Sequence, residues 1–168
     1  MENTNGSGET MWERPDAPLG TLVYRAGLLS KEKLESALAE GRQSGRRLGE
    51  ILLQKGWIEE KDLARLLAGQ KGLAFVSLKA RGFDADAARL LGERVSRFHC
   101  AVAMEEEEGG TVLVAIADPT DDSAISDIGA ELGRDFRLVV ATASEIRSAL
   151  DEVFAAWSPR PLPRRLRR

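Results

Sequence analysis

The chain has one histidine and one cysteine, and they are neighbours, His99 and Cys100. A thiol beside an imidazole could bind a metal or form a nucleophilic pair. One histidine leaves no credible Ser-His-Asp or Cys-His arrangement. One cysteine cannot build a zinc cluster or an intrachain disulfide, which makes a reducing cytoplasm the natural setting. The pair lies in the apolar run "RFHCAVAM", residues 97–104, which reads as β-rich, so sheet packing is its expected role. Acidic groups offer a second chemistry. Glu105–Glu108 could attract a cation, and Asp118, Asp121 and Asp122 could hold magnesium. A solvated hairpin loop explains the first set, and turn formation with helix capping explains the second. No G-x-x-x-x-G-K-[ST] phosphate loop occurs. The sequence therefore predicts no catalytic residue, no metal site and no resident cofactor, and the chain is read as a non-enzyme.

The elements that must position any site fall into two groups. Residues 1–17 are polar and acidic, and read as a disordered leader without the pattern of a signal peptide. From residue 18 to 72 the apolar positions recur at helical spacing. Ser30 opens one helix, Gly27 and Gly56 sit where helices end, and Glu59 and Glu60 stand where another begins. Four short helices in two helix-turn-helix pairs follow from that pattern. Residues 73–157 change period. "LAFVSL" (73–78) reads as a strand, "DADAARLL" (84–91) as a helix capped by Asp84, and 97–104 and 111–117 as two strands joined by "EEEEGG". A helix after Thr120, Asp121 and Asp122, the strand "FRLVVA" (136–141) and a last amphipathic helix complete a β-α-β-β-α-β-α order. The expected fold is α+β, a helical subdomain followed by a small α/β subdomain. With aromatics at only 5%, the core must be built mainly from leucine, alanine and valine.

The helical part repeats itself. Pro18–Gly41 aligns with Arg47–Gln70 without a gap, as two 24-residue blocks separated by the five residues "RQSGR". Leu19/Leu48, Gly20/Gly49, Gly27/Gly56, Leu34/Leu63, Leu38/Leu67 and Ala39/Ala68 are identical pairs. Two copies are too few for a solenoid. They suit a pseudo-two-fold unit, able to grip a ligand that is itself nearly two-fold symmetric.

The blocks and their spacer resemble the tandem motif of the MshEN domain, the N-terminal domain of bacterial type II secretion and type IV pilus assembly ATPases. That pattern runs Arg-Leu-Gly-x-x-Leu-Val-x-x-Gly-x-Leu and then Leu-x-x-x-Leu-x-x-Gln. The stretch "VLVAIADPTDDSAISDIGAELGRDFRLVVATASEIRSALDEVF" is similar to the family's α/β subdomain, including its Asp-Pro turn. Several members bind cyclic di-GMP through the tandem motif, so the resemblance implies a nucleotide-binding regulatory domain without the ATPase part. The implied ligand residues are Arg47, Leu48, Gly49, Leu63, Leu67 and Gln70 in the second block, and Leu19, Gly20, Leu34 and Leu38 in the first. Arginine forks onto guanine or phosphate, glycine admits close approach, and glutamine donates and accepts. The first block departs from the pattern: Pro18 replaces the arginine and Gly41 the glutamine. Arg25, Arg42, Gln43 and Arg46 are candidates to compensate, and Pro18 also suits the first turn of a helix. The alternative expectation is a degenerate, ligand-free docking module of the same secretion or pilus machinery.

Charge narrows the partners further. Five arginines lie in the Pro-rich tail, residues 158–168, and without them 19 basic residues face 27 acidic ones. An acidic body argues against nucleic-acid binding. The tail suits an acidic partner or an anionic surface. The expected partners are cyclic di-GMP and a protein of the secretion or pilus machinery, and the expected location is cytoplasmic.

Overall fold

A computed structural model describes residues 17–155. The predicted leader falls almost wholly outside this range, and the basic tail entirely so. The first part is four helices: α1 (Leu19–Arg25), α2 (Lys31–Ser44), α3 (Leu48–Gln54) and α4 (Glu60–Gln70). They form two hairpins whose turns match bond for bond. Leu28 N donates to Val23 O at 3.2 Å, and Trp57 N to Leu52 O at 3.0 Å. Gly27 and Gly56 take φ of 67° and 65°, the left-handed conformation that closes a helix and suits glycine. Ser30 Oγ accepts from Lys33 N at 3.4 Å at the start of α2. Pro18 stands one position outside α1 as its N-cap, not within the first turn.

The hairpins share one core, in which Val23, Ala37, Ile51 and Leu52 are fully buried. Gly20 and Gly49 allow the close crossing. A Cβ on Gly20 would lie 3.3 Å from Leu34 and 3.4 Å from Leu48, and one on Gly49 would lie 3.2 Å from Leu63 and 3.6 Å from Leu19. Each block therefore receives a leucine from the other, which is the reciprocity of a pseudo-two-fold pair.

The second part holds three short helices, α5 (Leu78–Arg81), α6 (Ala85–Ala88) and α7 (Glu93–His99). Strand β1 (Ala101–Glu106), strand β2 (Val112–Ile116), helix α8 (Asp122–Leu132), strand β3 (Phe136–Val140) and helix α9 (Ala143–Ala155) follow. The sheet order is β1-β2-β3, with β1 and β2 antiparallel and β2 and β3 parallel across the α8 crossover. Successive side chains of β2 point to opposite faces. Leu113 and Ala115 face α9 with Ile146 and Leu150, while Val112, Val114 and Ile116 face α8 with Ile128. All five residues of β2 are buried, as a strand covered on both faces requires.

Two sequence expectations change. The expected strand at 73–78 is reduced to one parallel bridge, Phe75 with Val140, with no second neighbour to extend it. The run 97–104 is split. Arg97–His99 close α7, where Arg97 binds Glu93 one turn back and Asp151 of α9, and buried Ser96 donates to Leu91 O at 2.9 Å. Cys100 makes the turn with φ of 49°, and the strand begins only at Ala101. The His-Cys pair is therefore not packed within a sheet: His99 binds Asp127 at 2.8 Å, and Cys100 caps a helix. The fold is α+β, with a helical pair-of-hairpins unit followed by a mixed three-stranded layer.

The two parts meet through Ala64 and Ala68 of α4, which pack on Val140 with Leu73 and Phe75. Polar ties flank that seam: Glu60 Oε1 accepts from Ser144 N at 3.1 Å, and the Ser144 hydroxyl also donates to Glu60. No helix among the described residues is long and apolar enough to cross a membrane.

Candidate functional site

A cleft of about 610 Å³ opens at this seam. One wall is the second block, with Arg47, Leu48, Gly49, Leu63, Leu67 and Gln70, joined by Leu19 of the first. The opposite wall comes from the α/β part: Ala117, Asp118 and Thr120 after β2, Cys100, and Thr142, Ala143 and Arg147 at the start of α9. The size and mostly apolar lining are ordinary for a ligand pocket.

Arg47 is the N-cap residue of α3, and its side chain, 54% exposed, crosses to the α/β part. Its guanidinium donates to Asp118, and its second terminal nitrogen lies 3.6 Å from Asp121. Asp118 is held in place by Thr120, whose backbone N–H donates to it at 2.9 Å and whose hydroxyl also donates. Asp121 caps α8. The Ser123 hydroxyl, the N–H of Ala124, Arg47 and the N–H of Ser123 together hold its carboxyl below the usual carboxylate range. The acids thus do cap and turn, as expected, and they also clamp the motif arginine. The Cys100 thiol is pushed up by burial, which makes it a sluggish nucleophile at neutral pH. Gln70 Nε2 donates to Ala17 O at 2.9 Å, so its Oε1 must point the other way. That oxygen is buried and has no hydrogen-bond partner among the described residues.

The remaining first-block residues lie elsewhere. Gly20, Leu34 and Leu38 line a second cleft of about 540 Å³ with Pro18, Thr21, Tyr24, Lys31 and Glu35. Every one of these eight positions is 29 residues before a position lining the first cleft, so the two hollows are pseudo-two-fold mates. The α/β part covers only the first. Leu48 lies between the two, since it lines the first and stands 3.4 Å from where a Cβ on Gly20 of the second would be.

None of the side chains expected to compensate for Pro18 and Gly41 enters either cleft. Arg46 is engaged by Gln54 and, at 4.0 Å, by Glu40. Arg25, Arg42 and Gln43 line neither hollow. Sequence reasoning missed Asp118 as the partner of Arg47, and missed Thr120, Thr142 and Arg147. The two ends of the Arg47–Asp118 contact are 71 positions apart, and no local pattern signals such a pair.

The MshEN domain model matches residues 72–156. The chain belongs to the MshEN domain family. The matched region is the α/β part, whereas the paired blocks carry the resemblance in the sequence itself. A relative, the type IV pilus assembly ATPase PilB of Myxococcus xanthus, is 31% identical over 141 residues, covering 84% of this chain and 25% of the relative. PilB of Thermus thermophilus is 33% identical over 144 residues, covering 86% of this chain and 15% of the relative. The chain thus spans a quarter or less of the length of these two relatives. A solved structure of MshE with cdg superposes with a TM-score of 0.72 at 31% identity, covering 82% of this chain and 99% of that one. The N-terminal domain of XpsE shares the fold, with a TM-score of 0.66 at 23% identity, covering 87% of this chain and 97% of that one.

Proposed function

We propose that this chain is a cytoplasmic, non-catalytic regulatory domain that takes cyclic di-GMP into the seam cleft and passes that state to a secretion or pilus motor. The observation that carries the reading is the convergence of Arg47, Leu48, Gly49, Leu63, Leu67 and Gln70 on one hollow. A buried acceptor without a donor costs about 1–3 kcal/mol, so Gln70, whose Oε1 has no partner among the described residues, gains by rotating toward a guanine N–H in the cleft. The Arg47 fork suits guanine O6/N7 or phosphate oxygens, and the Asp118 carboxylate suits the donors on guanine's other edge. The leucines offer apolar contact to bases and sugars. Similarity to MshE, solved with cdg, supports the same ligand.

Calorimetric titration with cyclic di-GMP, with GTP and cyclic di-AMP as controls, tests this, and Trp57 in the second block gives a parallel fluorescence readout. Saturable, selective binding at micromolar or better is expected. Arg47→Ala should weaken it by roughly tenfold or more, given about 1.5–3 kcal/mol for a charged hydrogen bond.

One observation favours a second reading, a docking module without ligand. Arg47 is already engaged by Asp118 and Asp121, so a nucleotide must displace or share those contacts. No binding up to high micromolar, with an unchanged pull-down of the machinery by Arg47→Ala, would select that reading.

A further inference from the structure

We infer that Arg147 supplies a second phosphate-binding cation in the seam cleft, from the wall opposite Arg47. This rests on the cyclic dinucleotide reading above and names the residue that makes it workable. A ligand with two phosphates is best served by two cations. The second block brings one, Arg47, and it is already shared between two carboxylates.

Arg147 fits that role by position. Helix α9 buries Ile146, Ala149, Leu150 and Val153 against the sheet, which turns Arg147 outward, exposed, onto the cleft wall beside Thr142 and Ala143. Its charge is felt at Cys100, on the same wall, where it opposes the upward push of burial on the thiol.

It also fits by availability. Among the described residues, Arg81, Arg89, Arg97, Arg134 and Arg137 are each paired with an acid. Arg65 lies over the Phe75 ring. Arg147 has no hydrogen bond or ion pair among the described residues, although Glu50 and Glu60 line the same hollow; Glu60 is held by Ser144. Arg42 and Arg94 are likewise unpaired among the described residues, but they do not line the cleft. An exposed arginine left without an acid, lining a cleft whose other arginine is already shared between two carboxylates, is poised for an anion from outside.

The test is a titration of the whole chain with cyclic di-GMP, comparing wild type, Arg147→Ala, Arg147→Lys and Arg47→Ala at two salt concentrations, with thermal melts alongside. Arg147→Ala should bind roughly tenfold or more weakly, with a shallower salt dependence and an unchanged melt. Arg147→Lys should recover most of the affinity, because a phosphate accepts an ammonium as a point charge. Wild-type affinity in Arg147→Ala, with loss in Arg47→Ala, overturns this inference and leaves the receptor reading standing. A lysine variant as weak as the alanine variant overturns the phosphate assignment. No binding by wild type overturns the receptor reading, and this inference falls with it.

Discussion

The two blocks have the same backbone and different ends. Pro18 and Arg47 occupy equivalent N-cap positions at φ, ψ of −55°, 142° and −70°, 143°. Each offers its carbonyl to the first turn that follows, Pro18 to Thr21 and Leu22, Arg47 to Ile51. The backbone role needs nothing from the side chain, so proline fills it as well as arginine does. The other ends have diverged further. Helix α4 stops at Gln70, while α2 runs on past Gly41 to Ser44 and is closed by Gly45 at φ 70°. A Cβ on Gly41 would lie 3.1 Å from Arg46 O and 3.5 Å from Ile51 Cδ1. A side chain there would crowd the backbone of the spacer entering α3, which passes across that face. The first block's cleft is uncovered, with Tyr24 51% exposed, while the cleft of the second block is roofed by the α/β part. The shared frame is set by leucines and glycines, and the polar ends are free to follow whatever each cleft faces.

That contrast can be broken first at the shared core. Leu52→Ala should cost about 2–5 kcal/mol, as a buried leucine truncation does, and Val23→Ala, its mate in the first block, should cost less. Urea unfolding should show one transition in each variant, and two would mean that the blocks are independent units. Next comes the attempt to restore the first block. Gly41→Gln should destabilise by about 1–3 kcal/mol through overpacking and should not improve nucleotide affinity, measured by melt and titration together. Asp121→Ala, on the roof that only the second block has, should cost about 1 kcal/mol as a lost helix cap. Because the native carboxyl sits below the usual range, that contribution is present above the ordinary carboxylate pKa and is lost as pH falls through the lowered value. Acid unfolding of the two proteins should therefore converge at low pH. The smallest effect is Arg47→Ala on stability, within about 0.5 kcal/mol, since its ion pairs are largely exposed. A larger loss would make Arg47 a clamp between the halves before it is anything else.

How much of this was legible follows from how local each signal is. Gly27, Gly56, Ser30 and Asp84 act within a turn of their own position, and the sequence placed each correctly; Asp121 is the cap among the three residues read at the start of its helix. The run 97–104 misled because its apolar residues fit a strand as well as a helix end. The information that separates them lies earlier, at Gly92 and Glu93, where α7 starts. Residues 73–78 are rich in strand formers, but strand formation also needs partners on the sheet edge, and only Val140 is offered. The site was half visible. The second block's residues are a spacing in one segment, and they do line one hollow. The opposite wall is assembled from the β2–α8 turn and the start of α9, whose approach to α3 is set by packing at Ala64, Ala68 and Val140.

Cys100, the chain's sole cysteine, lines that hollow. The protein thereby carries its own reporter. A small thiol-selective alkylating probe can mark only this one thiol, slowly near neutral pH and faster once the medium is alkaline enough to ionise it. Anything lodged in the cleft should slow the marking, so occupancy can be timed on the unmodified chain without engineering a label into it.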